Sequence, residues 1–193
     1  VSEFGPAPLK HARARAQLKI GVDEIAALFL GSGWERKGLR FAVAASEKTR
    51  VRLLVAGRGN ERKYRSGNVT FLGELEDVRL PLAAADIFIL PTIYDPFSNA
   101  SLEAMAAGLP VITTRANGCS EIVEPKVHGT IVERADDIDG LSQALHFWSD
   151  ESRRLAARPA LLERATQFDL SRNVAHTLEV LLHSRDSAES TSG

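Results

Sequence analysis

A single cysteine, Cys119, in 193 residues leaves no partner for an internal disulfide, as expected of a chain kept in a reducing, cytoplasmic compartment. No charged, apolar, small-residue leader precedes the first core-like segment, which fits the same expectation. No apolar run is long enough to cross a bilayer. The histidines His11, His128, His146, His176 and His183 show no metal-ligand spacing with Cys119, so no zinc is expected. Internal repeats and low-complexity tracts are missing as well. Net charge is almost absent, at −1 from 24 Lys and Arg against 25 Asp and Glu. What remains is the profile of one globular domain, 44% hydrophobic and 25% charged, and it excludes collagen-like, disordered and membrane-spanning classes. At this length roughly 70% of the unfolded surface can be buried, so the core needs no disulfide or metal to hold it.

Apolar runs rich in branched and aromatic residues recur along the chain, at 26–31, 51–56, 69–72, 87–90, 111–114 and 130–132. They read as strands buried on both faces. Between and after them, apolar residues spaced by three and four predict helices over 38–47, 75–85, 99–107, 120–123 and 138–148. Two closing helices are expected at 151–167 and 171–182, the first kinked or restarted at Pro159, whose ring removes an N–H and clashes with the preceding turn. Strand and helix in alternation predict an α/β fold, a doubly wound, Rossmann-like parallel sheet, with ligands bound at the carboxyl ends of its strands. Residues 1–10 read as linker, 11–184 as the folded domain and 185–193 as a disordered tail.

Charge is unevenly placed despite the neutral total. From Glu35 to Arg65 there are ten Lys or Arg against three Glu. Such a segment is either a solvated face or a surface for phosphates, nucleic acid or anionic lipid. Its only aromatics are Phe41 and Tyr64, which make no interleaved series to stack bases, so nucleic acid is not the expected partner.

The richest stretch for chemistry is YDPFSNASLEAMAAGLPVITT, Tyr94 to Thr114, which leaves one buried strand and enters another through a helix. Ser98 or Asn99 can cap that helix, and the N–H groups of Asn99, Ala100 and Ser101 at its start suit a diphosphate. Asp95 lies just before the helix and Glu103 about a turn inside it. Spacing alone leaves two readings for this pair. Either both border one ligand, with Glu103 meeting sugar hydroxyls rather than phosphate, or Asp95 caps a turn and Glu103 is solvated.

The run Asp95-Pro-Phe-Ser-Asn-Ala-Ser-Leu-Glu103, continued by Ala104, Met105, Gly108, Leu109, Pro110 and Val111, resembles the E-x(7)-E signature of the group 1, retaining, nucleotide-sugar-dependent glycosyltransferases of GT-B fold. Phe29–Leu39 is similar to that family's first strand and Lys-Gly turn, and Val55–Asn60 to its second glycine turn. Asn68–Thr92 resembles its base-binding loop and following unit, and Asn117–Val123 its Gly-x-x-Glu-Ile-Val segment. The form YDPF-x-N-x-x-LEA is most similar to bacterial lipopolysaccharide core glucosyltransferases, which implies hexose transfer, glucose from UDP-glucose, to a lipopolysaccharide or related glycan acceptor.

The resemblance implies that Glu103 binds the ribose hydroxyls, Asp95 contacts the transferred sugar and Lys37 neutralises the diphosphate. Ser32, Gly33, Arg36, Gly57 and Arg58 would lie in the phosphate-facing turns. Backbone groups of Gly73, Glu74 and Leu75 would meet the base, and Phe97, Ser98, Asn99, Ala100 and Ser101 would complete the donor cradle. It implies no metal and no bound cofactor, because a fixed cation and a helix start stabilise the leaving phosphate. The family's retention is attributed to front-face displacement, in which the leaving phosphate helps deprotonate the acceptor, unlike a two-carboxylate glycosidase.

Three positions depart from the family pattern. Asp95 stands where Glu is commoner, Ser98 where Gly is frequent, and Ser32 where an Arg often joins the Lys, so that Arg36 or Arg58 is expected to substitute. Length departs too, since GT-B enzymes pair two such domains. The chain therefore reads as the C-terminal, donor-binding half, inactive without an N-terminal acceptor domain and meeting a membrane, if at all, peripherally through the full-length protein. The alternatives are a noncatalytic nucleotide-binding or regulatory module on the same fold, and an epimerase of the same architecture. An NAD enzyme is disfavoured because Gly57-Arg-Gly-Asn-Glu-Arg62 lacks a third glycine and follows the second strand.

Overall fold

Residues 8–168 are described by a computed structural model; the expected helix at 171–182, the tail at 185–193 and most of the expected linker lie outside them. Six strands, β1 (Ala26–Leu30), β2 (Arg52–Ala56), β3 (Val69–Gly73), β4 (Ile87–Leu90), β5 (Val111–Thr114) and β6 (Gly129–Val132), form one sheet in the order β3-β2-β1-β4-β5-β6. Every pairing is parallel, with Leu28 opposite Leu54 on one side and Phe88 on the other. All residues of β1, β4 and β5 are buried, which explains why these strands read as unbroken apolar runs. The edge strand β3 is only half-buried.

Helices α1 (Pro8–Gln17), α2 (Leu39–Thr49), α3 (Arg79–Ala84), α4 (Asn99–Ala106), α5 (Ile138–Trp148) and α6 (Glu151–Gln167) cover the sheet. Packing pairs α2 with α5, α1 with α3, and α4 with α6. The strand order reverses direction between β1 and β4, so the carboxyl ends of these two strands form the switch point where open α/β sheets bind ligands.

Four elements differ from expectation. Helix α1 begins at Pro8, inside the segment read as linker. It has no apolar stripe to betray it; instead its Arg15 is buried and pairs with Asp86 at 2.8 Å. Arg15 also donates to the carbonyls of Gly21, at 2.7 Å, and Glu24, and His11 bonds the Ala83 carbonyl at 2.7 Å. Helix α3 starts four residues later than position 75 because Pro81 is accepted only in the first turn, where its missing N–H has no intrahelical partner to lose. The helix expected over 120–123 is a single 3₁₀ turn, Gly118–Ile122. Finally, α6 runs without a break through Pro159. The proline lies on an exposed face, and the carbonyl it leaves unbonded belongs to exposed Leu155, so no buried polar group is orphaned.

Candidate nucleotide-sugar site

Three glycines end three adjacent strands with left-handed backbone: Gly31 after β1 (φ 135°), Gly57 after β2 (φ 126°) and Gly73 closing β3 (φ 72°). They are joined in a row, Gly31 N–H to the Ala56 carbonyl at 2.9 Å and Gly57 N–H to the Gly73 carbonyl at 2.7 Å. A Cβ on Gly57 would lie 2.3 Å from the Gly31 oxygen, and one on Gly31 would lie 2.9 Å from Lys37 Cε. Bare backbone at the strand ends therefore makes the space in which the Lys37 chain folds back over β1.

The turn that carries Lys37 is pinned to β4. Lys37 N–H donates to the Gly33 carbonyl at 3.0 Å, and Gly38 sits so close that a Cβ there would meet the Pro91 oxygen at 1.9 Å. Across the switch point the Arg36 carbonyl accepts from Ile93 N–H at 2.8 Å and from the Thr92 hydroxyl at 3.0 Å. The loop after β4 is in turn joined to the loop after β5: Asp95 N–H donates to Ala116 O at 3.1 Å, Gly118 N–H donates to Asp95 O at 2.9 Å, and the Thr114 hydroxyl donates to Thr92 O at 2.6 Å. Gly118 is required there, since a Cβ would lie 1.9 Å from the Pro96 oxygen.

These fixed backbones bring together Asp95, Lys37 and Arg36. Asp95 Oδ2 is 3.4 Å from both Lys37 Nζ and Arg36 Nη1, with side-chain exposures of 9%, 14% and 49% respectively. Arg36 also donates to the Tyr94 carbonyl. Of the two arginines expected to substitute at Ser32, Arg36 is the one that joins the Lys37–Asp95 pair. Arg58 pairs with Glu74 at 3.1 Å instead, both exposed, while its N–H donates to Ser32 Oγ at 3.0 Å and ties the first and second glycine turns. Gly33 is exposed at the tip of the first turn, and Leu75 is half-buried beyond Gly73.

Ser98 caps α4, its buried hydroxyl accepting from Ser101 N–H at 3.3 Å. That N–H is also within 3.0 Å of the Ser98 carbonyl, so Ser101 is spent on the cap. The N–H groups of Asn99 and Ala100 have no acceptor among the described residues and form the anion-ready start of the helix. Phe97 is partly exposed at the rim beside exposed Tyr94 and Ile93. Glu103, half-buried on α4, has its carboxyl pushed above the ordinary range by burial, with no described donor or cation offsetting it. A half-buried acceptor pair without partners suits two hydroxyl donors.

Two supports were not foreseen. Trp34 is buried, donates from Nε1 to the Gly31 carbonyl at 3.0 Å, stacks on Phe71 at 5.5 Å and meets Tyr64 edge-on at 5.9 Å. Gly59 lies against its ring, where a Cβ would be 2.2 Å away, so Trp34 sets the spacing of the two glycine turns. Asn117, fully buried, donates to Thr113 Oγ1 at 2.9 Å and accepts from Cys119 N–H at 3.1 Å, holding the strip that fixes Asp95. The pairing of a tryptophan in one glycine turn with a glycine in the other is the sequence signal for the first; the second has none. Among the described residues no three His, Cys, Asp or Glu side chains gather as a metal site, and no helix is long and apolar enough to cross a membrane.

The all-parallel sheet order, the glycine-ended strands and the cation pair at Asp95 are those of a Rossmann-like domain of the GT-B class. The family model described as "Glycosyl transferases group 1" matches residues 24–150, and the chain belongs to that family. An uncharacterized glycosyltransferase of Methanocaldococcus jannaschii, MJ1607, is 30% identical over 152 residues, covering 69% of this chain and 39% of the relative. The lipopolysaccharide core biosynthesis glycosyltransferase LpsE of Rhizobium meliloti is 31% identical over 141 residues, covering 68% and 41%. Among solved structures, WaaG, a glycosyltransferase involved in lipopolysaccharide biosynthesis, superposes with a TM-score of 0.75 at 27% identity, over 85% of this chain and 48% of that one. The chain thus spans about two fifths of the length of these two curated relatives, 39% and 41%.

Proposed function

We propose that this domain binds a nucleotide sugar, UDP-glucose in the first instance, and serves as the donor half of a retaining glycosyltransferase acting on a lipopolysaccharide or related glycan. The observation that carries the reading is the placement of Lys37 and Arg36 around Asp95 at the switch point, in the loop that leads into the α4 start. Two cations and two free N–H groups supply what a diphosphate leaving group needs, since the charge that develops as the glycosidic bond breaks falls on the phosphate they face. That arrangement calls for no metal. Glu103, without a partner of its own, takes the vicinal hydroxyls of the ribose, and Asp95 takes a hydroxyl of the hexose. The leaving phosphate accepts the acceptor's proton on the same face of the sugar, which preserves the anomeric configuration. The acceptor is held by an N-terminal partner domain, at the cytoplasmic side of the membrane on which such glycans are built, and this chain alone turns over little or nothing.

Calorimetric titration with UDP, GDP, ADP and UDP-glucose tests the proposal. Saturable binding of UDP and UDP-glucose, lost in Glu103→Ala, is the expected result. A folded sample that binds none of the four refutes a preformed donor site and favours a noncatalytic role for the fold.

A further inference from the structure

Asp95 occupies an unusual position for a group that is to receive a ligand. Its carboxylate is nearly buried, makes no hydrogen bond with any described residue, and stands 3.4 Å from each of the two cations that are to hold the diphosphate. Its backbone is bonded on both sides, to Ala116 and Gly118, so the main chain does not carry it away when a ligand arrives. The site therefore holds one fixed negative charge among its own phosphate-binding groups.

From this we infer that Asp95 is a specificity-determining residue that makes the site favour the sugar-bearing nucleotide over the bare nucleoside diphosphate, by acting as a resident anion that competes for Lys37 and Arg36. The inference rests on the donor-site reading above. A bare nucleoside diphosphate has a terminal phosphate with a second ionisation near neutral pH, so it brings about one more negative charge than the glycosyl ester does. That extra charge falls at the end of the diphosphate nearest Asp95, where two anions share the same two cations beside a nearly buried carboxylate. Esterification by the sugar removes the charge and replaces it with hydroxyl donors, for which the unused acceptor capacity of Asp95 is matched. Substrate thus relieves the carboxylate and product opposes it. Transfer of the hexose converts the first situation into the second, so the same residue that receives the donor helps expel the spent nucleotide.

The test compares wild type with two uncharged variants, Asp95→Asn and Asp95→Ser, and with the charge-conserving Asp95→Glu. UDP, UDP-glucose, GDP and GDP-mannose are titrated calorimetrically at one ionic strength, with circular dichroism and melting curves on each variant to establish folding. In the uncharged variants UDP is expected to bind about fivefold tighter or better, while UDP-glucose gains nothing, so the preference for the sugar nucleotide collapses. Asp95→Glu keeps the wild-type preference. If GDP is the nucleotide bound, the same pattern holds for GDP and GDP-mannose. UDP affinity that is unchanged or weakened in both uncharged variants overturns the inference, as does an equal gain for both ligands. Wild-type binding that is lost in Glu103→Ala, together with no gain in the Asp95 variants, overturns it while leaving the donor-site reading intact. Failure of every protein to bind any of the four overturns both.

Discussion

At the scale of single residues, burial rather than charge pairing sets the behaviour of three titratable groups. Glu103 is held above the ordinary carboxylate range by burial alone. A carboxyl whose folded value is raised stabilises the fold below its unfolded value, and loses that contribution as pH rises through the folded one. Towards neutral pH that contribution is lost, and the carboxyl is a burden on the domain. Glu103→Gln should raise the melting temperature by about 1–3 °C while abolishing nucleotide binding, a pairing of gain and loss that differential scanning calorimetry and titration together would detect. His128 behaves in the opposite sense. It is buried, its Nδ1 accepts from Glu124 N–H at 3.1 Å, and desolvation, with Arg164 adding to it, lowers its value. Its neutral ring supports the fold fully above the unfolded value of 6.5, and that support is lost as pH falls below it. Melting curves should accordingly drop more steeply below pH 6.5 for wild type than for His128→Asn. The Cys119 thiol, pushed up to about 12 by burial, should resist alkylation in the native protein at neutral pH and react only on unfolding.

The same scale shows how much of the site was legible. Lys37, Asp95 and Glu103 stand in motifs whose spacing is local, so the sequence displays them directly. The choice between Arg36 and Arg58 could not be made that way, because it depends on Glu74, sixteen residues beyond Arg58, capturing one of them. Trp34 acts through Gly59, Tyr64 and Phe71, well beyond its own turn, and only its pairing with a glycine of the second turn hints at it. Asn117 bonds locally, to Thr113 and Cys119, but a buried asparagine carries no pattern of its own.

At the scale of elements, strands buried on both faces were readable because each is a short unbroken apolar run, and the parallel order follows from the helices between them. Helix α1 was not, because what holds it is an ion-pair cluster. Arg15 and Arg154 converge on Asp86, at 2.8 and 3.4 Å, and Ala26 N–H donates to the same carboxylate at 2.9 Å. Asp86→Ala leaves two poorly solvated guanidinium groups without their anion, and should cost about 3–5 kcal/mol in urea unfolding, far more than loss of an exposed pair such as Lys48–Asp139. The glycine row makes a sharper demand at the other end of the sheet. Gly57→Ala must take up a φ of 126° and place a methyl 2.3 Å from the Gly31 oxygen; a loss of about 2 kcal/mol or more is expected, together with weaker nucleotide binding, because the Gly31 turn that makes room for Lys37 has to move.

Considered as a whole molecule, the domain divides its labour between the two ends of one sheet. The carboxyl ends carry the candidate ligand groups, and the amino ends carry the Asp86 cluster that anchors α1 and α6. The candidate site residues and their supports fall between Gly31 and Cys119, although they come from loops after β1, β2, β3, β4 and β5. Among the described residues outside that span, α5 and α6 pack against α2 and α4 and serve as support. Stability and recognition can thus be altered separately, and Asp86→Ala, assayed well below its melting temperature, should bind nucleotide with wild-type affinity.

The backbone bonds that join Arg36 to Ile93, and Asp95 to Ala116 and Gly118, extend the sheet's ladder past the last strand residues into what are formally loops. Their amides should exchange with deuterated solvent on the slow timescale of the strands, with Ile93, Asp95 and Gly118 retained long after exposed Val22 has exchanged. A floor that rigid has a practical meaning for anyone soaking crystals of this domain: the donor should be met by swinging side chains over an unmoved backbone.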